Sequence, residues 1–268
     1  MTGAVWLRLR LDGAAAVALW RRDLTRFGRQ PSRVLGALGQ PIIFFWILGG
    51  GLAGTFRLPG SALAYPTYFF PGVVTMVALF ASIFASVSVI EDRQRGFLQA
   101  VVAGPASAVG IAVGKTLGAA SVALLQVAGF LLFAPWAGLP LADIAWGPLA
   151  LALATATVTL SALGLAVAWP LTSVQGFHAL QMLLMVPLWV VSGAMFPPPP
   201  AGTMAGLMAA NPLALMLAAI RHALHGGEAP AAARAAASPG TAQLGGCALA
   251  VMALATACLA CRRRRGGE

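Results

Sequence analysis

The amino-acid sequence predicts an all-α membrane protein with six transmembrane helices, an N-terminal amphipathic interfacial helix and a re-entrant extracellular helical segment before the last span. Three observations lead to this class. Of the 268 residues, 59% are hydrophobic and 9% are charged, and the mean hydropathy is +0.85. So few charged side chains cannot cover a water-facing surface. The apolar residues also fall in runs long enough to cross a bilayer, and the basic residues cluster beside those runs.

The first element is the cytoplasmic N-terminus, residues 1–33, which we expect to form a helix lying in the headgroup layer. Ala16, Val17, Trp20, Leu24 and Phe27 fall on one helical face, and the opposite face is basic: Arg21, Arg22, Thr25, Arg26 and Arg29. We therefore predict membrane-interface contacts for Trp20, Leu24, Phe27, Arg22 and Arg29. The alternative is a soluble helix that packs on a partner.

Six apolar segments are long enough to span a bilayer, and they define a transmembrane permease domain over residues 34–261. A membrane-crossing helix needs about 20 mainly apolar residues. Prolines punctuate the connections between the segments, as expected where the chain turns at the interface. The predicted spans are 34–55, 68–90, 108–133, 146–169, 177–196 and 242–261.

The basic residues set the orientation of these spans. With the N-terminus inside, fourteen basic residues fall on the inner side and three on the outer side, which places both termini, including the basic tail 262–268, in the cytoplasm. Sixteen of the seventeen are arginine, a usage typical of GC-rich bacterial coding, so we expect a bacterial inner membrane. The net charge of +10 does not indicate a nucleic-acid partner, because the arginines do not line one soluble face.

The stretch GIAVGKTLG, residues 110–118, ends like a phosphate-binding loop but lacks its spacing. That loop requires a glycine, four residues and then Gly-Lys-Ser/Thr after a buried strand, whereas here the needed position holds Val109. Gly110, Gly114 and Gly118 are four residues apart and form one smooth helical face. We therefore predict helix packing at these glycines, and no nucleotide or other cofactor on this chain.

The apolar stretch 203–220, within the predicted extracellular loop 197–241, is interrupted by Asn211-Pro212. Proline removes a backbone donor and disfavours helix at the residue before it. A seventh crossing would also place the four terminal arginines outside. We therefore predict a broken re-entrant helix with Asn211 and Pro212 at the break, and with Arg221 on a surface segment, 213–224.

Catalytic and metal-binding constellations are scarce. The chain has three histidines and seven carboxylates, and we predict no catalytic residue and no metal site. His222 and His225 are close enough to share a metal, but no third ligand is obvious. Cys258 and Cys261 form a CxxC inside an apolar segment, where small buried helix residues are the simpler interpretation.

The connection between the second and third spans, residues 91–118, reads EDRQRGFLQAVVAGPASAVGIAVGKTLG. It resembles the signature of type 2 ATP-binding-cassette (ABC) permeases. The Gly-Phe-Leu in its middle resembles the sequence found there in the branch of the family that exports drugs and nodulation factors. Two stretches agree with that family, PLWVVSGAMFPPPP at 187–200 and NPLALMLAAIRHAL at 211–224. The matching positions in the connection are Glu91, Arg93, Arg95, Gly96, Leu98, Pro105, Ser107 and Lys115.

The resemblance implies that two six-span permeases, identical or related, meet in the membrane. Each would rest a coupling segment, residues 91–107, on a separate ABC ATPase that carries ATP and Mg. In this interpretation Phe97, Leu98, Val101 and Val102 fill an apolar groove on the ATPase, and the charged residues meet its rim. The alternative is an ordinary connecting loop. The expected coupling residues are Glu91, Asp92, Arg93, Arg95, Gly96, Phe97, Leu98 and Pro105.

The expected function is export of an amphipathic, drug-like or lipid- or glycan-linked compound, with membrane lipid as a further partner. An ion-coupled secondary transporter or channel is the alternative, but such proteins keep ionisable residues near the bilayer centre. Here the spans offer Gln126 and Gln181 as polar interior residues, with Lys115 near a boundary. A subunit that only anchors or assembles other proteins is a third hypothesis.

Overall fold

The computed structural model describes residues 2–54, 63–197, 199 and 201–225, and in these ranges it contains helices and no strand. Two shorter helical turns accompany the main helices: a π-helical turn, Phe45–Gly50, and a 3₁₀ turn, Ala134–Ala137. The helices are α1 Thr2–Gly28, α2 Pro31–Phe44, α3 Tyr65–Gln94, α4 Phe97–Ala103, α5 Ala108–Leu131, α6 Trp146–Ala168, α7 Val174–Val190, α8 Thr203–Ala210 and α9 Pro212–Leu224.

Three of these helices, α3, α5 and α6, are long and apolar enough to cross a membrane. The prediction of an all-helical, multi-pass membrane protein is confirmed for these three helices. The predicted first and fifth spans correspond to shorter apolar helices, Leu38–Gly50 and α7. The predicted sixth span, the basic tail, Cys258 and Cys261 lie outside the described residues, so the count of six stays a prediction.

The break predicted at Asn211-Pro212 is present. Helices α8 and α9 meet there at an angle of 76°, and the pair can be counted as one broken span or as a re-entrant loop. Asn211 caps α9 by accepting a hydrogen bond from the Leu213 amide at 2.9 Å, and Pro212 occupies the first helical turn. Proline is favoured there because its missing N–H would have no helical partner.

Helix α3 is the central element, and most of its length is buried against α5, α6 and α9. Its first turns carry the aromatic residues Tyr65, Tyr68, Phe69 and Phe70, each at most 1% exposed. Its last turn carries Glu91–Gln94, near a smaller apolar cluster that includes Leu19, Leu98 and Trp169. We call the two ends of α3, with their surroundings, the Tyr68 end and the Asp92 end.

Candidate functional site

At the Asp92 end, six charged side chains from three helices form a cluster. Arg22, Asp23 and Arg26 come from α1, Glu91 and Asp92 from α3, and Lys115 from α5. The Asp92 side chain is 0% exposed. We call this set the charge cluster, and it contains three positive and three negative groups. Burying a charge is costly unless it is paired and hydrogen-bonded, and these six side chains pair with one another.

Asp92 is the hub of the charge cluster. Arg22 donates to both of its carboxylate oxygens, at 2.9 and 2.8 Å, and Lys115 Nζ donates to Oδ2 at 2.5 Å. A two-pronged arginine–carboxylate pair is stronger and more directional than a single contact. The bond to Asp92 also raises the pKa of the Arg22 guanidinium, so Arg22 stays charged. Asp92 therefore fixes α1 and α5 to the last turn of α3.

Two further hydrogen-bonded pairs belong to the charge cluster. Lys115 Nζ lies 3.2 and 3.3 Å from the carboxylate oxygens of Asp23, and Arg26 donates to Glu91 Oε2. Burial raises the pKa of the Asp23 carboxyl, and the neighbouring Lys115 opposes that rise. Lys115 therefore bridges two carboxylates that belong to different helices.

The next two residues of α3 bind the connection between α6 and α7. Arg93 donates to the carbonyls of Leu171 at 2.7 Å and Trp169 at 2.5 Å, and Gln94 donates to the carbonyl of Thr172 at 2.9 Å. Carbonyls at a helix C-terminus have no partner within the helix. The sequence Glu91–Gln94 thus ties the last turn of α3 to α1, to α5 and to the end of α6.

Helix α4 follows directly, after a turn at Gly96 with φ of +75°. Leu98 is 3% exposed and packs with Leu19 and Val89, and Phe97 lies under the Arg22 guanidinium at 3.8 Å. Leu98, for which we predicted a place in an ATPase groove, is thus covered by its own chain. The exposed residues of the coupling segment, 91–107, are Gln94, Arg95, Gln99, Ala100, Ala103 and Pro105.

Helix α1 packs along α5 over the glycine face. A Cβ atom on Gly110 would lie 2.9 Å from the Asp12 Cα, and one on Gly114 would lie 2.7 Å from the Ala16 Cα. One on Gly118 would lie 3.0 Å from the Asp23 carboxylate. Asp12 also accepts hydrogen bonds from the amide and hydroxyl of Ser107, at 2.6 and 2.7 Å. The glycines permit a close approach that larger residues would block.

The residues predicted to contact the membrane interface have mixed surroundings. The Trp20 indole donates to the Ser121 hydroxyl at 3.0 Å, so it faces α5, and Arg22 belongs to the charge cluster. Leu24 and Phe27 are half-buried, and Arg29 is exposed. The pattern along one helix indicated which residues share a face, but it could not indicate which neighbouring helix would cover that face.

Different contacts hold the Tyr68 end. The Arg221 guanidinium lies 4.3 Å from the centre of the Tyr68 ring and donates to the Gly193 carbonyl at 3.2 Å. Tyr68 donates to the same carbonyl at 3.0 Å, and the Trp189 indole donates to the Gly72 carbonyl at 2.9 Å. Arg221 is 4% exposed. Helix α9 therefore turns this arginine toward α3 and the end of α7, while the position of the segment 213–224 along the membrane surface stays a prediction.

Asn211 also joins α9 to α7, because its side-chain amide donates to the Leu188 carbonyl at 2.6 Å.

In the part of the chain that the structure describes, no group of three or more histidine, cysteine or carboxylate side chains is arranged to hold a metal ion.

The family model for the ABC-2 type transporter matches residues 14–225, from α1 to the end of α9. The chain belongs to the ABC-2 type transporter family. No curated protein sequence matches it. An ABC-2 permease is the membrane component of an ABC transporter, and its ATPase is normally a separate subunit. The charge cluster, α4 and the glycine face all lie inside the matched region.

Sequence reasoning missed the partners of the charged residues. Asp92 lies 70 positions from Arg22, and no local pattern joins them. One signal was available, since charged residues are rare in this chain and an acidic pair directly after an apolar span was unlikely to face lipid. Counting charges near span ends would have suggested Asp23, Asp92 and Lys115 as partners without fixing their pairing.

Proposed function

We propose that the chain is the permease subunit of an ATP-driven ABC exporter in a bacterial inner membrane, with both termini in the cytoplasm. A separate ABC ATPase binds ATP and Mg²⁺, and a second permease copy completes the transmembrane path. The cargo is amphipathic, either drug-like or linked to lipid or glycan. Family membership supports the ATPase partner, and the distribution of basic residues supports the orientation.

The observation that carries this proposal is the joining of α4 to the transmembrane helices. One face of α4 contacts α3 and lies in an apolar cluster with residues of α1, α5 and α6, while Gln99, Ala100 and Ala103 are exposed. The preceding turn of α3 is tied to α1, α5 and the end of α6. A movement imposed on the exposed face of α4 therefore reaches several transmembrane helices at once.

The predicted coupling residues then divide into two roles. Arg95 and Pro105 are exposed beside α4 and can contact the ATPase. Glu91, Asp92, Arg93, Phe97 and Leu98 face their own chain and are positioning residues, because they hold α4 and the last turn of α3 in place. Gly96 forms the turn between the two helices.

The experiment is to co-express the permease with the ATPase encoded beside it, purify the complex and measure ATP hydrolysis. Ala100→Trp places a large side chain on the exposed face of α4, and we expect it to abolish both co-purification and permease-dependent hydrolysis. Leu207→Trp is the matched control, since Leu207 is 55% exposed on α8. ATP hydrolysis by the isolated permease, or full activity of Ala100→Trp, would contradict the proposal.

A second candidate is the ion-coupled transporter. The buried Asp92–Lys115 pair at 2.5 Å favours it, because proton- and ion-coupled proteins use buried ionisable groups. Reconstitution of the permease without any ATPase separates the two functions. Transport driven by an ion gradient alone would establish this second function and contradict the first.

A further inference from the structure

A groove of about 620 Å³ opens at the surface between α1 and the turn that joins α3 to α4. The wall of this groove is strongly basic, because five arginines and no carboxylate are among the described residues that line it. They are Arg21, Arg22, Arg26, Arg29 and Arg95. We call this surface the arginine groove.

Three of the five arginines give the arginine groove an excess of positive charge. The charge cluster, which is neutral as a whole, already contains Arg22 and Arg26. In contrast, no described carboxylate forms an ion pair with Arg21, Arg29 or Arg95, and all three are exposed. A concave surface lined by charges of one sign attracts ligands of the opposite sign. The groove therefore favours an anion.

The chemistry of the wall favours phosphate among the anions. The planar fork of N–H donors on a guanidinium group can bind two phosphate oxygens at once. Arg21 and Arg29 are separated by about two turns of α1, so their Cα atoms lie about 12 Å apart along the helix. Thr25 lines the groove between them, and Arg95 contributes from the turn after α3. This length suits an extended headgroup rather than a single small ion.

The exposed surface of α1 next to the arginine groove is apolar. Val17 is 53% exposed and lies one turn before Arg21. Trp6 is 66% exposed and lies about three turns before Val17, on the same side of the helix. Acyl chains would cover these two side chains, as they cover the apolar face of an interfacial helix. An anionic headgroup in the groove, with acyl chains along α1, uses both features.

We propose that the arginine groove binds the phosphate headgroup of an anionic phospholipid, with its acyl chains along Val17 and Trp6. This site goes beyond an interfacial position of α1, because it adds selectivity for headgroup charge and includes Arg95 from a distant segment. Lipid binding does not depend on the proposed export function. Arg22 and Arg26 line the groove and also join α1 to α3, so the bound lipid lies against that junction.

The test uses the purified full chain in an uncharged detergent and counts bound lipid by native mass spectrometry. Dioleoylphosphatidylglycerol is the anionic probe. Dioleoylphosphatidylcholine is the matched control, because it has the same acyl chains and no net charge. We expect saturable binding of phosphatidylglycerol, at least about tenfold tighter than binding of phosphatidylcholine. Equal binding of the two lipids would overturn the proposal.

Substitutions on α1 locate the site. Arg21→Gln and Arg29→Gln should each weaken binding of phosphatidylglycerol about fivefold, the contribution of one basic residue near an anionic lipid surface. Arg21→Lys keeps the charge and should lose less affinity than Arg21→Gln. Arg95 is also a proposed ATPase contact, so the decisive variants are those on α1.

The matched control for these substitutions is Arg10→Gln, at another exposed arginine of α1 that does not line the groove. Arg10 lies about 16 Å from Arg21 along the helix, which exceeds the screening length of about 8 Å at physiological salt. We therefore expect a change in affinity of less than about twofold. Equal losses at Arg10 and Arg21 would show attraction by overall charge and would overturn the assignment to the groove.

Two other occupants of the arginine groove predict different results. Glycerol 1-phosphate has the phosphate without the acyl chains, and displacement of the lipid at equal concentration would indicate a site for a soluble phosphate. An acidic segment of the ATPase is the other alternative. If the double variant Arg21→Gln, Arg29→Gln no longer co-purified with the ATPase when no lipid is added, the groove would bind that protein instead. Either result would overturn the lipid assignment, and we expect neither.

Discussion

The Asp92 end and the Tyr68 end of α3 are both buried, but different chemistry holds them. At the Asp92 end, three carboxylates and three basic side chains neutralise one another across α1, α3 and α5. At the Tyr68 end, Arg221 and Trp189 bind backbone carbonyls and an aromatic face, and no described carboxylate forms an ion pair with Arg221. Loss of one partner of a charge pair leaves a buried charge unpaired, whereas replacing Arg221 removes its charge together with its hydrogen bond and leaves no described carboxylate unpaired.

The difference also bears on how the two ends can move. A network centred on one carboxylate moves as a unit, because separating Asp92 from Arg22 or Lys115 would leave a buried charge unpaired. At the Tyr68 end, Tyr68 and Arg221 share one acceptor, the Gly193 carbonyl, whereas the bond from Trp189 to Gly72 is separate, and breaking any of these bonds separates no described ion pair. We infer that the Asp92 end transmits movement as one body, while the helices at the Tyr68 end can rearrange individually.

The largest expected effect is at the hub of the charge cluster. Asp92→Asn keeps the shape but removes the charge that Arg22 and Lys115 share, and we expect a loss of about 3–5 kcal/mol in the free energy of unfolding. The measurement is SDS-induced unfolding of the purified chain, followed by circular dichroism. Asp143→Asn, at an exposed loop position, should stay within about 0.5 kcal/mol.

A double substitution sharpens this result. Adding Lys115→Met to Asp92→Asn removes one of the two cations that Asp92→Asn leaves unpaired. The double variant should therefore lose less free energy of unfolding than the sum of the losses in the two single variants. Strict additivity would show that Lys115 and Asp92 are not coupled, and the description of the Asp92 end as one unit would fail.

The second prediction concerns packing, which should not differ between the ends. A Cβ on Gly114 would meet the Ala16 Cα at 2.7 Å, and one on Gly72 would meet the Ala194 carbonyl oxygen at 2.5 Å. Because backbone atoms cannot move aside cheaply, we expect Gly114→Ala and Gly72→Ala each to cost about 1–3 kcal/mol by the same unfolding assay.

The control for packing is Gly13→Ala on α1, where the new methyl group meets nothing within 4 Å. It should stabilise the protein by up to about 1 kcal/mol through helix propensity. If only one of the two close-contact variants were destabilised, the ends would differ in packing as well as in charge.

The third prediction is a smaller loss at the Tyr68 end. Arg221→Met removes the hydrogen bond to Gly193 and the contact with the Tyr68 ring, and we expect a cost of about 1–2 kcal/mol. Arg29→Met, at an exposed arginine, is the control and should change little. A cost as large as that of Asp92→Asn would indicate a charged partner for Arg221, and the contrast between the ends would disappear.

The smallest expected effect is at the turn that joins α3 to α4. Gly96 has a φ of +75°, which costs an L-residue about 1–2 kcal/mol. Gly96→Ala should lower stability by about 1 kcal/mol, and Gly96→Asn by less, because asparagine tolerates this conformation. Equal and negligible effects of both changes would show that the turn does not depend on glycine.

Local patterns in the sequence predicted the parts of the fold that depend on neighbouring residues. Continuous apolar runs predicted α3, α5 and α6, and Asn211-Pro212 predicted the break between α8 and α9. Each of these follows from helix length or from the missing proline donor. The order of short motifs along the chain also predicted the ABC-2 family correctly.

The contacts between distant segments could not be predicted in the same way. An arginine on an amphipathic helix can face water, lipid or a carboxylate, and only the packing of α1 on α5 brings Arg22 to Asp92. The burial of Leu98 and Arg221 likewise depends on which helices cover them. Local periodicity states which residues share a face, whereas tertiary packing decides what that face meets.

We propose that the exposed face of α4 lies in the cytoplasm and receives an ATPase. The direct test is labelling of Gln99→Cys, in a background where Cys247, Cys258 and Cys261 are replaced by serine, with a membrane-impermeant maleimide. We predict labelling in inside-out vesicles stripped of ATPase, protection when the ATPase is added back, and no labelling of intact spheroplasts. Labelling from the outer face, or no protection by the ATPase, would contradict the account.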